Sequence, residues 1–193
     1  MHNIVKILLY SSIVHTFSLG LLGPIYAIFV EGIGGNILSA SSAWAIYSVT
    51  IGILTIVFGK FEEKLSWSRM LIWGRILNTI GIVGYFFVST VYQLFITEFV
   101  LGVAASIKDP AYDSLFSKFL TKKKVSLEWG YQWGFTGIFS GVAALIGGAI
   151  ATIFGFKILF IFMAVSSVIS VFIAALLLKK KTFAELFDVV HHR

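Results

Sequence analysis

The chain has 193 residues, of which 58% are hydrophobic and 12% charged, with a mean hydropathy of +0.94. Soluble domains carry about 25% charged residues, so this composition excludes an ordinary soluble fold. The net charge of +6 does not point to nucleic acid, because the basic residues sit in short loops beside apolar segments, and cysteine is absent, which removes disulfides and thiolate metal sites.

A hydrocarbon core about 30 Å thick is crossed by about 20 helical residues rising 1.5 Å each. Six apolar segments meet that length: 7–30, 41–59, 70–89, 92–112, 131–154 and 158–178. Lys6 precedes the first, but the run is longer than the roughly 7–15 residues of a secretory signal, so it reads as an uncleaved first helix. The only prolines, Pro24 and Pro110, leave the helices long and seldom broken. Residues 70–108 carry only Arg75 and Glu98 as charges before their end and exceed one bilayer, so they fold back near Ser89 and Thr90. After the lysines at 179–181, Thr182 and Glu185 form a capping box, with Phe183, Leu186, Phe187 and Val190 on one apolar side. The predicted organisation is a six-helix transmembrane bundle over 1–181 and a short cytoplasmic amphipathic tail over 182–193.

Lys6, the Lys60, Lys64 and Arg69 loop, the loop holding Lys118 and Lys122 to Lys124, and the lysines at 179–181 fall on one side of the spans; Lys157 alone falls on the other. The positive-inside rule then predicts a multi-pass protein of a cell or inner membrane with both termini cytoplasmic. The six spans divide into two trios, 7–89 and 92–178, the second entering from the opposite side, so any repeat is inverted, as in many secondary transporters. Glycine pairs and triplets at Gly20 and Gly23, Gly81 and Gly84, and Gly134, Gly137 and Gly141 mark faces for close helix packing.

Glu98 lies well inside a span, where an acidic side chain costs about 2.5–3.5 kcal/mol on insertion scales. It is either a proton or cation site in a cavity or an acid hydrogen-bonded within the bundle. His15 lies about 13–15 Å along the first helix and either shares a proton with Glu98 or is bonded to Ser12, Thr16 or a carbonyl. Tyr47, Thr136 and Ser140 are the other polar residues deep enough to line a solute path. Lys108, Asp109 and Asp113 sit at the end of the fourth span, within reach of Lys64, Arg69 or Arg75. No histidine and carboxylate spacing resembles a metal site, no cofactor is called for, and neither a paired-histidine motif nor a G-x-S-x-G elbow supports an enzyme.

The loop after the second span carries Gly59, then Glu63 and Lys64, with Arg69 further on; the fourth span carries the run 94–102 ending in Gly102, followed by Val103, Ala104 and Ala105; Pro110 and Ala111 and the lysine-rich loop come next. In these features the chain resembles the N-terminal six-helix half of a major facilitator superfamily transporter. It departs where Glu98 stands in place of the arginine common in the family, and where Ala143 and Ala144 replace a glycine and proline before Gly147 and Gly148. The resemblance implies an all-α fold of two inverted three-helix repeats, with the first and fourth helices facing a cavity. It also implies a cytoplasmic gate motif of Gly59, Glu63, Lys64, Arg69 and Asp113. The function it implies is a half-size secondary transporter for a small-molecule solute in the lipid bilayer, acting as a homodimer or with a second six-helix half, with proton coupling as one option. The alternative is a nonenzymatic membrane partner or a truncated half without transport of its own.

Overall fold

The computed structural model describes residues 1–62 and 66–191, and the side chains of 1–60 and 66–178. Glu63 and Lys64 of the expected gate motif, and the side chains of the 182–193 tail, lie outside the described residues. The described chain is entirely helical: α1 (Asn3–Gly20), a 3₁₀ turn (Gly23–Ile25), α2 (Tyr26–Gly32), α3 (Ile37–Glu62), α4 (Trp67–Phe87), α5 (Val91–Phe119), α6 (Val125–Phe154) and α7 (Phe156–His191). Six of the resulting stretches are long and apolar enough to cross a membrane, with α1 and α2 forming one of them.

The first span is broken, against the expectation of one continuous helix over 7–30. Pro24 has no N–H to donate to the carbonyl of Gly20, so the ladder ends at Gly20. The chain passes through a tight turn closed by Ile25 N–H on Leu22 O (3.0 Å) and restarts at Tyr26. Pro110, by contrast, sits inside α5 without ending it. Lateral packing on α3 and α4 holds that segment, as neighbours do for prolines in membrane helices. Hence α5 runs seven residues past the expected end at 112, to about 44 Å in all, and projects beyond the hydrocarbon. The fold-back between α4 and α5 falls at 88–90 as expected. Thr90 Oγ1 accepts from Gln93 N–H (3.4 Å) while Gln93 Oε1 accepts from Ser89 N–H (2.8 Å), a reciprocal cap that starts α5. α7 continues without interruption through Thr182 to His191.

The packing obeys an exchange of the two trios. α5 lies against α4 and α3, and α1 lies against α7 and α6; the third helices, α4 and α7, pack on each other. Each middle helix therefore docks on the first helix of the other trio, the arrangement of two intertwined inverted repeats.

Two apolar clusters fill the bundle. One gathers Leu21, Phe29, Ile82, Leu94, Leu159 and Met163; the other, beside the chain's beginning, gathers Val5, Leu8, Leu71, Leu115, Phe116 and Leu177. Other parts of the interior are polar. Ser18 Oγ donates to Met163 O (2.7 Å), Thr79 and Ser167 share a hydrogen bond (2.7 Å), and Ser170 Oγ donates to Ser11 O (3.0 Å), tying α1 and α4 to α7. Lipid gives apolar faces no reason to leave it, so such interhelical bonds and close packing hold the bundle, at about 0.6 kcal/mol per bond on average.

Gly20 and Gly81 do sit at close helix contacts, but Gly134, Gly137 and Gly141 meet nothing within 4 Å. Those α6 glycines form an unpacked face, so their packing within this chain, expected from the spacing, is not found among the described residues.

Candidate functional site

Two cavities open where α1, α3, α4, α5 and α6 approach one another. The first, about 350 Å³, is walled by Tyr26, Trp44, Tyr47, Asn78, Tyr85 and Glu98, among others. Glu98 is 4% exposed, and one oxygen, Oε1, accepts hydrogen bonds from both Tyr26 Oη and Tyr85 Oη at 2.6 Å. Tyr26 is the first residue of α2, so the break in the first span delivers this donor. Tyr85 comes from α4 and is fixed by stacking on Phe160 (5.5 Å) and an edge contact with Phe29 (5.9 Å). Among the described residues nothing donates to the second oxygen, Oε2. Asn78 Nδ2 is buried without a partner in the same wall.

The second cavity, about 360 Å³, is lined by His15, Arg75, Lys108, Tyr112 and Gln132, with Asp109 and Asp113 exposed at its edge. Tyr112 Oη donates to Gln132 Oε1 (2.6 Å), and Gln132 Nε2 donates to Ser12 Oγ (2.8 Å), a chain linking α5, α6 and α1. Arg75 Nη1 donates to Ser11 O (2.7 Å) and to Ser170 Oγ. Thr16, Leu19 and Tyr47 line both cavities, so the two are adjacent compartments.

Of the residues singled out in the sequence, Glu98, Tyr47 and Ser140 converge on the first cavity. His15 and Asp113 fall in the second, so His15 and Glu98 occupy different compartments and no hydrogen bond joins them. Thr136 lines neither cavity: it is buried and donates to Gln132 O of its own helix (2.6 Å). Asp109 pairs with the adjacent Lys108, and not with Arg69 or Arg75. Arg69 is exposed on the first turn of α4, and Gly59 has open space around it. Tyr26, Tyr85, Asn78 and the inward Arg75 are the functional candidates that the sequence did not announce. Among the described residues no group of three or more His, Asp or Glu is placed to hold a metal ion.

Residues 8–188 match the family model described as Major Facilitator Superfamily. Over 188 residues the chain is 24% identical to the "Multidrug resistance protein MdtG" of Dickeya zeae (strain Ech586), covering 95% of this chain and 46% of that protein. The protein of the same name from Salmonella schwarzengrund (strain CVM19633) is 24% identical over 162 residues, 82% of this chain and 40% of the relative. The chain thus spans about half the length of the relatives it matches. Among solved structures, the in meso crystal structure of the POT family transporter PepTSo superposes with a TM-score of 0.72 at 11% identity, over 91% of this chain and 37% of that one. Six membrane-spanning helices in inverted trios, a polar interior with two cavities, and a family match across nearly the whole sequence converge on one assignment: the chain belongs to the major facilitator superfamily.

Proposed function

We propose that this chain is one six-helix half of a secondary transporter for a small solute, and that two copies, paired in the membrane, enclose the solute path. The observation that carries the reading is Glu98: a carboxylate held between two phenols, with one oxygen free, in the wall of a cavity rather than in packed core. Acids inside a span that face a cavity commonly mark ion or proton pathways, and a carboxylate oxygen without a donor is available to such an ion.

The aromatic lining supports an apolar, positively charged organic solute. Tyr26, Trp44, Tyr47 and Tyr85 surround the single carboxylate, and ring faces attract cations by about 2 kcal/mol when desolvated. The relatives' name, multidrug resistance protein, supports a screen across chemically diverse drugs. Pairing is supported by the two middle helices: in an apolar 18-residue stretch of each of α3 and α6 only 11% of the residues are buried, which leaves wide faces for a second bundle. The described basic residues Lys6, Lys60, Arg69, Lys118 and Lys122 to Lys124 flank one face, and Lys157 the other, which supports cytoplasmic termini.

Uptake into proteoliposomes driven by a pH gradient tests this reading, with lipophilic cations as the first solutes. Glu98→Gln keeps the side chain's shape and loses its titration, so it is expected to abolish gradient-driven uptake while leaving some downhill exchange. Gradient-driven uptake at the unaltered rate in that variant removes Glu98 from the mechanism. Absence of transport by a dimer that binds solutes favours the alternative of a partner subunit.

A further inference from the structure

The second cavity carries a charge imbalance that the proposed transport of a cation does not use. Arg75, Lys108 and His15 reach it from α4, α5 and α1, and are 3%, 5% and 8% exposed. Lys108 is paired with Asp109. Among the described residues Arg75 has no carboxylate partner: its two hydrogen bonds go to a carbonyl and a hydroxyl, both through Nη1. Nε is buried without a partner, no hydrogen bond reaches Nη2, and His15 Nε2 is also buried and unpartnered. Among the described residues the remaining charges facing the cavity are Asp109 and Asp113, both on the exposed side of α5; Glu98 belongs to the other compartment.

A guanidinium taken out of water without a counter-charge is costly, and the cost is relieved when an anion enters. The Nε and Nη2 edge of arginine presents two parallel N–H groups whose spacing matches the two oxygens of a carboxylate or phosphate. Because Nη1 is spent on the α1 and α7 contacts, this edge is the part of Arg75 left unused. His15 supplies a further nitrogen from α1, and Tyr112 and Gln132 supply hydroxyl and amide groups in the same wall.

We propose that this cavity is an oxyanion-binding site, in which Arg75 takes a carboxylate or phosphate group in a two-point contact, with His15 and Lys108 supporting the charge. The site is separate from the Glu98 compartment but continuous with it through Thr16, Leu19 and Tyr47. An anion held there lies on the path of any solute that passes both compartments.

Binding is measured directly, so the result does not depend on transport. The purified full-length chain in detergent is titrated with benzoate, acetate and inorganic phosphate against sodium chloride at matched ionic strength, following thermal unfolding and heat of binding. A saturable rise in Tm with benzoate or phosphate, absent with chloride, is expected; saturation by both carboxylates assigns a carboxylate site, and saturation by phosphate alone assigns a phosphate site. Arg75→Lys keeps the charge and loses the two-point edge, and is expected to weaken binding at least tenfold. Because Arg75 also bridges three helices, Lys108→Gln and His15→Gln serve as variants outside that bridge, each expected to weaken binding several-fold. Lys122→Gln controls for surface charge and is expected to bind as the parent does. No saturable effect of any oxyanion, or affinity unchanged from the parent in both Lys108→Gln and His15→Gln, overturns the proposal.

Discussion

Gly74 on α4 lies so close to Lys108 on α5 that a methyl group added at the glycine would meet the lysine Cβ at 2.7 Å and its backbone nitrogen at 2.9 Å. Seven residues on, Gly81 faces Leu101, seven residues back along α5, and Gly84 faces Thr97. These contacts set an antiparallel register between the two helices. The same register brings Tyr85 to Glu98 and keeps Lys108 buried beside the second cavity.

The contacts rank three substitutions. Gly74→Ala pushes against backbone and is expected to destabilise the bundle by about 1–3 kcal/mol. Gly81→Ala meets the flexible end of Leu101 and is expected to cost less; Gly84→Ala makes only ordinary contacts at 3.5 Å and is expected to be tolerated. Thermal unfolding in detergent reads the order, and a Gly84 variant weaker than the Gly74 variant sinks the register argument.

Tyr26→Phe and Tyr85→Phe each remove one hydrogen bond to the Glu98 carboxylate, worth about 1.5–3 kcal/mol when the acceptor is charged. The two donors differ in what they hold. Tyr85 sits in the aromatic cluster with Phe29 and Phe160, so its ring stays in place without the hydroxyl. Tyr26 opens the short α2, and its hydroxyl is the hydrogen bond that links this helix to α5. Tyr26→Phe is therefore expected to raise the thiol reactivity of a cysteine placed at Ile28 by several-fold, and Tyr85→Phe to leave it unchanged. Equal reactivity in both variants rules out a tethering role for Tyr26.

Much of the fold is legible in the sequence because it rests on lengths and on charge placement. Six apolar runs give the spans, and the need to fold a segment twice the bilayer thickness gives the turn at 88–90. Pro24, directly after Gly23, reads equally well as a helix end or a break, and only the restart at Tyr26 distinguishes them. Glu98 stands out as an acid in an apolar run, yet its partners do not, since Tyr26 and Tyr85 look like ordinary interfacial aromatics. The matched seven-residue spacing of Gly74 and Gly81 with Lys108 and Leu101 is the signal that would pair Tyr85 with Glu98. Lys108 reads as part of a charged end of the fourth span because nothing local reveals that α5 continues to Phe119 and carries it inward.

Orientation is set by lysine and arginine, and cysteine scanning reads it cleanly in a chain that has none. Cysteines at Asn36 and Thr90 fall in the turns on one face, and those at Ser66 and Thr121 on the other. An impermeant thiol reagent added outside cells is expected to label the first pair and spare the second. The opposite pattern inverts the topology and places the second cavity at the outer face.

Under the proposed pairing, the glycine face of α6 is where a second copy is expected to dock. Gly130, Gly134, Gly137 and Gly141 recur every three or four residues on one side of the helix, with nothing within 4 Å of any of them. Ser140, which lines the first cavity, lies beside that face, so a helix packed on the glycines closes the cavity as it docks. Small residues let two backbones approach, and identical chains inserted the same way pair most simply about a two-fold axis along the membrane normal. A cysteine at Gly137 is therefore expected to crosslink to its counterpart in native membranes. Gly137→Leu is expected to raise the dimer Kd at least tenfold, about 1.4 kcal/mol, without changing the melting of the monomer. Thr136 behaves differently, because it is buried against its own bundle; a bulky residue there perturbs folding before it perturbs pairing. A chain that stays monomeric in native membranes and still transports a lipophilic cation refutes the paired architecture.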